Sequence, residues 1–152
     1  MTMLAKLMQS YADFKSLNML EGSCKTLIPG VSFYRVNKGS GRQPLLYQSG
    51  IIVMGQGHKE IHLGDETVSY GPGDFLVLGV PLPLECEAFS ENGLPILGLS
   101  INVNSTLLHR LVNQLADENI QADGNTSQAS NLDLGIKSES INIVLDDTIK
   151  RL

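Results

Sequence analysis

Apolar residues near the start of the chain recur at intervals of three and four positions. This spacing predicts one amphipathic helix over residues 2–17. The apolar stripe comprises Met3, Leu4, Leu7, Met8, Tyr11, Phe14 and Leu17. Because methionine fills irregular gaps in a core, we expect this stripe to pack against the domain that follows.

Residues 21–104 show a different pattern, in which short apolar runs alternate with glycine and proline. All six prolines and most of the glycines lie in this part of the chain. Such punctuation is typical of a strand-rich sandwich or barrel. The predicted strands are residues 26–36, 45–54, 58–63, 67–70, 75–80, 82–89 and 95–103. We therefore predict a mostly β fold centred on a small barrel, with residues 47–76 at its heart.

Two of these runs show which way their side chains point. In residues 82–88 the apolar residues alternate with Glu85 and Glu87, so Cys86 is predicted to face the core. Residues 75–78 are apolar on both faces, which suits a strand covered on its second side by a helix.

The period returns to 3.6 after residue 104. A helix is predicted over residues 105–118, with an apolar stripe formed by Leu107, Leu108, Leu111, Val112 and Leu115. Residues 119–137 are interpreted as a polar linker, and Ser138 as the N-cap of a second amphipathic helix that runs to residue 152. Since the chain stops inside this periodic pattern, we expect it to be part of a longer protein.

Composition and charge narrow the class of protein. The net charge is −5, and residues 60–109 contain seven acids and no Lys or Arg, so no basic stripe is present to contact phosphates. No apolar run reaches the roughly 18 residues of a membrane span. Two cysteines indicate no disulfide framework, and a reducing cytoplasmic location is expected.

His58, Glu60 and His62 are the sharpest candidates for chemistry, because residues two apart on a strand share a face. One straight strand nevertheless spaces such side chains by roughly 6.5 to 7 Å, too far apart to share one metal ion without a bulge or a ligand from elsewhere. We therefore expect no metal site or cofactor. Glycine patterns that begin at Gly39, Gly55 and Gly98 fail to complete nucleotide-binding or nucleophile motifs, so an enzyme is not expected.

Several short motifs, in order, resemble the N-terminal domain of AraC-type bacterial transcription regulators. The resemblance runs from residue 26 to residue 104 and continues into the C-terminal helices. Its motifs are Thr26-Leu27-Ile28-Pro29-Gly30, Gln56-Gly57-His58-Lys59, Leu63-Gly64, Tyr70-Gly71-Pro72-Gly73-Asp74-Phe75-Leu76 and Pro81-Leu82-Pro83-Leu84.

This resemblance implies a cupin-like jelly-roll barrel that senses an effector, followed by helices used for self-association. It further implies a homodimer, with DNA contacted by a C-terminal helix-turn-helix domain that is absent from this chain. The stripe at residues 107–115 is the expected dimer interface. The His-x-His pair of metal-binding cupins is missing here, because His58 and His62 are four residues apart.

The mouth of such a barrel is a natural small-molecule site. By alternation, one side is predicted to carry Met54, Gln56, His58, Glu60 and His62, unless Gly55 or Gly57 introduces a bulge that changes the register. The full set of candidate ligand-binding residues is Tyr34, Tyr47, Met54, Gln56, His58, His62 and Tyr70. Two alternatives stay open, a small metal-dependent cupin enzyme and a dimerisation module without an effector.

Overall fold

A computed structural model of the chain describes residues 2–78, 82–104, 110, 113–114 and 136–140. These residues form one helix, α1 (Met3–Phe14), and ten strands. The strands are β1 (Gly22–Lys25), β2 (Val31–Val36), β3 (Ser40–Tyr47), β4 (Gly50–Gln56), β5 (His58–Leu63), β6 (Glu66–Tyr70), β7 (Asp74–Leu78), β8 (Leu82–Phe89), β9 (Ile96–Asn102) and β10 (Ile136–Ser140).

Helix α1 begins at an N-cap, Thr2, whose hydroxyl accepts a hydrogen bond from the Ala5 N–H at 3.1 Å. The helix ends at Phe14, three residues earlier than predicted, because Ser16 adopts a left-handed conformation with φ of 57°. Leu4 and Met8 are buried as expected, whereas Met3 and Phe14 are 60% and 82% exposed. The helix thus docks with a narrower stripe than the sequence indicated.

The strands form two antiparallel sheets. The first has the order β1-β2-β9-β4-β7-β10, and the second has the order β3-β8-β5-β6. Without the edge strands β1 and β10, these are the two four-stranded sheets of a jelly roll, in which consecutive strands cross from one sheet to the other except at the β5–β6 hairpin. The predicted mostly β jelly-roll fold is confirmed.

Two clusters of buried side chains lie on opposite faces of the first sheet. The helix-facing cluster joins α1 to the first sheet. It comprises Leu4, Met8, Ala12, Phe33, Val53, Phe75, Val77 and Leu97. The interior cluster lies between the two sheets and comprises Met54, Ile61, Tyr70, Leu76, Leu78, Leu84, Ala88 and Ile96. Strand β7 contributes to both clusters, which explains why it is apolar on both faces.

Local turn chemistry explains several boundaries. The Gly71–Asp74 corner closes with a hydrogen bond from the Asp74 N–H to the Gly71 carbonyl at 2.9 Å, and the Gly71 N–H donates to the Asp74 carboxylate at 3.2 Å. Gly73 supplies the positive φ of 91° that this corner requires. Of the predicted strand 26–36 only Val31–Val36 (β2) forms a strand, because the chain turns at Pro29 and Gly30 between β1 and β2.

The predicted C-terminal elements are only partly described. Arg110, Asn113 and Gln114 are helical and exposed, as expected for the polar face of the helix at 105–118. The apolar stripe of that helix and most of the linker and second helix lie outside the described residues. The N-cap at Ser138 was wrong, because residues Ile136–Ser140 form strand β10 and pair with β7. The edge of β7 has backbone groups that are free to pair with another strand. The helical spacing of apolar residues in the sequence does not show that this segment pairs there.

Candidate functional site

The interior of the barrel contains polar groups among its apolar side chains. Lys59 and Ile61 of β5 point inward, because their neighbours across the ladder are Ala88 and Cys86 of β8, which are both buried. Tyr34, Tyr47 and Tyr70 pack in or against the interior cluster. An amine, a thiol and three phenols therefore lie between the two sheets; we call Lys59, Cys86, Tyr34, Tyr47 and Tyr70 the interior polar set.

Lys59 is the unusual member of this set, since it is a lysine that is only 7% exposed. Its amine lies 3.8 Å from the centre of the Tyr34 ring, a cation–π distance. Among the residues that the structure describes, no carboxylate forms an ion pair with it. Burial lowers the pKa of Lys59, and the nearby Cys86 thiol opposes that shift to a smaller extent.

The phenols are held in their neutral form. Burial, with smaller contributions from Cys86 and Glu21, raises the pKa of Tyr34 to about 12. Burial likewise raises the pKa of Tyr47 and of Tyr70 well above the ordinary value. The Tyr47 hydroxyl donates to Cys86 Sγ at 3.2 Å. The Tyr70 hydroxyl interacts electrostatically with Tyr47 but is buried without a hydrogen bond in good geometry to any described group.

The predicted alignment of Met54 and Gln56 with three residues of β5 was wrong. Met54 belongs to the interior cluster and pairs with Gly98, but the register between β4 and β9 shifts after it. This bulge at Gly55 places Gln56 opposite Leu97, a residue of the helix-facing cluster. Buried Gln56 donates a hydrogen bond to the Pro95 carbonyl at 2.7 Å, which ties β4 to the start of β9.

His58 and His62 lie on the outer face of the second sheet, opposite to Lys59 and Ile61. The His58 ring stacks on Phe89 with centroids 4.7 Å apart, and its Nδ1 lies 2.8 Å from the Glu91 carboxylate. The His62 Nε2 lies 3.0 Å from the Glu87 carboxylate. Of the seven predicted ligand-binding residues, the barrel interior therefore brings together Tyr34, Tyr47, Met54 and Tyr70.

A potential set of metal ligands lies on this outer face. Glu60, His62 and Glu87 each offer one ligand atom, and these three atoms lie within 4.8 Å of one another. His58 is not part of the set. Glu87 of the neighbouring strand β8 provides the third group.

Sequence reasoning missed Lys59, although a usable signal was present. Ile61 is apolar and lies two residues after Lys59, so the alternation along β5 puts both on one face. Lysine is so rarely buried that the histidines and the glutamate of this strand attracted attention instead. Cys86 was predicted to face the core and is only 3% exposed.

Two concave surfaces lie outside the barrel interior. A cavity of about 300 Å³ between α1 and β2 is apolar, and its lining includes Leu7, Tyr11 and Leu27. A shallow groove of about 560 Å³ crosses the outer face of the second sheet beside His62, and Arg42 and Leu46 line it. Neither surface contains a member of the interior polar set.

The strand order and the covering helix define a jelly-roll domain with polar groups in its interior. The chain belongs to the family described as AraC-type transcriptional regulator N-terminus, whose model matches residues 27–152. The resemblance inferred from the sequence motifs is thus confirmed. No curated protein matches the chain.

Solved structures with a similar fold include two proteins described as cupins and the protein YhaK. A cupin-2 domain protein from Shewanella frigidimarina is 14% identical, with a TM-score of 0.40 over 62% of this chain and 99% of that chain. A cupin superfamily protein from Desulfitobacterium hafniense is 16% identical, with a TM-score of 0.36 over 48% of this chain and 66% of that chain. YhaK from Escherichia coli is 16% identical, with a TM-score of 0.40 over 74% of this chain and 42% of that chain. Within the described residues, no helix is long and apolar enough to span a membrane.

Proposed function

We propose that this domain senses a small effector that carries an acidic group, and that the effector binds at the interior polar set. The family describes a domain of a transcriptional regulator. The observation that carries the proposal is Lys59, a buried amine that has no described carboxylate partner. A buried ammonium without an anion is costly, so an anion that reaches it gains a strong charge-assisted hydrogen bond.

The neighbouring groups suit the rest of such a ligand. The Tyr34 ring supplies an apolar and polarisable surface beside the amine, and the Tyr70 hydroxyl, which makes no hydrogen bond in good geometry, can donate one to a ligand. The surrounding side chains of the interior cluster are aliphatic. We therefore favour an organic acid with an apolar body over a neutral sugar.

The test is a thermal-shift screen of the 152-residue chain with organic acids, neutral sugars, amines and metal salts. A ligand that binds only the folded state raises Tm, by the equivalent of about 2.7 kcal/mol at 100 times its Kd. We expect organic acids to raise Tm in the wild type and in Lys25→Met, which removes an exposed lysine, but not in Lys59→Met. Equal shifts in Lys59→Met, or shifts caused by neutral compounds alone, would contradict an acidic effector.

We further propose that the domain self-associates through the helix at residues 105–118. The supporting observations are the apolar stripe Leu107, Leu108, Leu111, Val112 and Leu115 in the sequence, and the exposure of Arg110, Asn113 and Gln114 on the other face. In this proposal the regulator contacts DNA through a separate helix-turn-helix domain and acts in the cytoplasm.

Sedimentation at high micromolar concentration tests this proposal. We expect a dimer for the wild type and for Gln114→Glu, and a monomer for Leu111→Glu. A wild-type monomer under these conditions, or an unchanged dimer in Leu111→Glu, would exclude this interface.

A further inference from the structure

We propose that Glu60, His62 and Glu87 form a binding site for a divalent transition-metal ion, best matched by Zn²⁺, on the outer face of the second sheet. We call these three residues the outer-face triad. Glu60 and Glu87 are directly opposite each other in the pairing of β5 with β8. His62 projects from the same face of β5, two residues after Glu60.

The distances fit metal coordination after a small adjustment. The three ligand atoms lie within 4.8 Å of one another, and His62 Nε2 and Glu87 Oε2 are already 3.0 Å apart. In a tetrahedral zinc site with bonds of about 2.1 Å, neighbouring ligand atoms are about 3.4 Å apart. Glutamate side chains on strands can close the remaining difference by rotation, without a change in the backbone.

The histidine is already oriented for ligation. His62 Nδ1 lies 3.1 Å from the Thr67 hydroxyl of β6, and only 11% of its side chain is exposed. In the metal-free protein the Nε2–H of His62 donates to the Glu87 carboxylate. A metal ion would replace that proton, and an Nδ1–H donated to Thr67 would leave the Nε2 lone pair directed at the ion. Zinc-binding histidines are usually fixed in this way by a second hydrogen bond to the other ring nitrogen.

The local charge favours a cation. Two carboxylates directly opposite each other across strands repel. In the described part of the chain, the Arg42 guanidinium is paired with Glu85, and no Lys or Arg forms an ion pair with Glu60 or Glu87. A divalent ion between Glu60 and Glu87 would remove that repulsion and join β5 to β8. One histidine and two carboxylates suit borderline ions such as Zn²⁺.

This site is separate from the barrel interior. Lys59 and Ile61 point to the opposite side of β5, so metal and effector do not share ligands. The proposal is therefore independent of the one made for the interior polar set.

Calorimetric titration of the full chain with Zn²⁺ tests the proposal, with thermal shift and the visible spectrum of added Co²⁺ as further readouts. We expect one Zn²⁺ per chain and a higher Tm. Thr67→Val should weaken binding by about 10-fold or more, the usual effect of losing a partner of a ligating histidine. His62→Gln and Glu87→Gln should weaken it further and abolish the Co²⁺ ligand-field bands.

His58→Gln is the matched control, because His58 lies on the same face and strand and pairs with a different carboxylate, Glu91. It should bind Zn²⁺ like the wild type. Glu87→Gln keeps the shape of the side chain, so lost binding in a variant that still melts cooperatively reports coordination and not unfolding. Absence of binding in the wild type, or unchanged affinity in both His62→Gln and Glu87→Gln, would overturn the proposal.

Discussion

The Lys59 amine and the Tyr34 ring are in contact inside the barrel, 3.8 Å apart from nitrogen to ring centre. The two residues come from different sheets, since Tyr34 lies on β2 and Lys59 on β5. Their contact therefore bridges the interior. It partly offsets the cost of burying the amine, because the face of an aromatic ring attracts a cation.

Replacing Lys59 should stabilise the domain without its effector. Burial lowers the pKa of Lys59 below its ordinary value of 10.5, so between the two values the folded protein binds fewer protons than the unfolded protein. Stability therefore falls as pH drops below 10.5, and Lys59→Met removes this loss. We expect a gain in Tm at pH 7 on the order of 3 °C, which corresponds to about 1 kcal/mol.

The pH dependence separates this effect from better packing alone. The gain should shrink as the pH rises through 10.5, because above that pH the lysine is neutral in both the folded and the unfolded protein. Lys25→Met, at an exposed position of β1, should show no such dependence. A Lys59→Met variant that is less stable than wild type at pH 7 would contradict the argument.

Two tyrosine-to-phenylalanine substitutions should change the free energy of unfolding in opposite directions. The buried Tyr70 hydroxyl lies beside Tyr47 but makes no hydrogen bond in good geometry, so Tyr70→Phe should raise the free energy of unfolding by about 1 kcal/mol. Tyr47→Phe loses the hydrogen bond to Cys86 Sγ and should lower that free energy by about 0.5–1 kcal/mol. Urea unfolding of both variants checks this ranking, and the reverse order would contradict it.

A side chain at Gly55 should destabilise the domain, because helix α1 packs directly against this residue. A Cβ at this position would collide with Met8 Sδ and lie 3.5 Å from the Ala5 Cα. Gly55→Ala should therefore cost about 1–3 kcal/mol of stability through overpacking. Combined with Met8→Ala, the loss should be smaller than the sum of the two single losses, because the pair is in contact.

Gly41→Ala is the control for this experiment, since a Cβ there meets nothing within 4 Å. Its effect on the free energy of unfolding should stay within about 0.5 kcal/mol. Additive losses for Gly55→Ala and Met8→Ala would show that the collision is not the cause.

The two cysteines should react with thiol reagents at different rates. Cys24 is partly exposed on β1, whereas Cys86 is buried in the barrel interior. In the native protein we expect Cys24 to react first and Cys86 to react only as fast as the barrel opens. Mass spectrometry of Cys24→Ser and Cys86→Ser measures each rate separately. Equal rates at the two thiols would mean that the interior is open to solvent.

Local chemistry made much of the fold predictable from the sequence. The corner at Pro72 and Gly73, the core-facing Cys86 and the docking of the N-terminal helix all follow from periodicity or turn residues. The bulge after Met54 is different, because Gly55 marks a possible bulge but does not establish one, and one extra residue reverses the later side chains without changing the composition. This reversal is why Gln56 was assigned to the wrong face.

Contacts between distant parts of the chain were harder to predict. Glu87 completes the outer-face triad only through the pairing of β8 with β5, and β10 pairs with β7 across a long stretch of intervening chain. A single sequence carries no direct record of such neighbours. The candidate site was therefore predicted in part, with its tyrosines identified and its lysine missed.

Strand β10 gives the domain a mechanical link to the residues that follow it. It pairs antiparallel with β7, so that Ser140 lies opposite Asp74 and Ile136 lies opposite Leu78. A pull on the chain beyond Ser140 would therefore load the ladder first at Asp74, beside the corner that begins at Gly71. Under a force directed across the strands, the pairs would open one after another from Ser140, and the pair between Ile136 and Leu78 would part last.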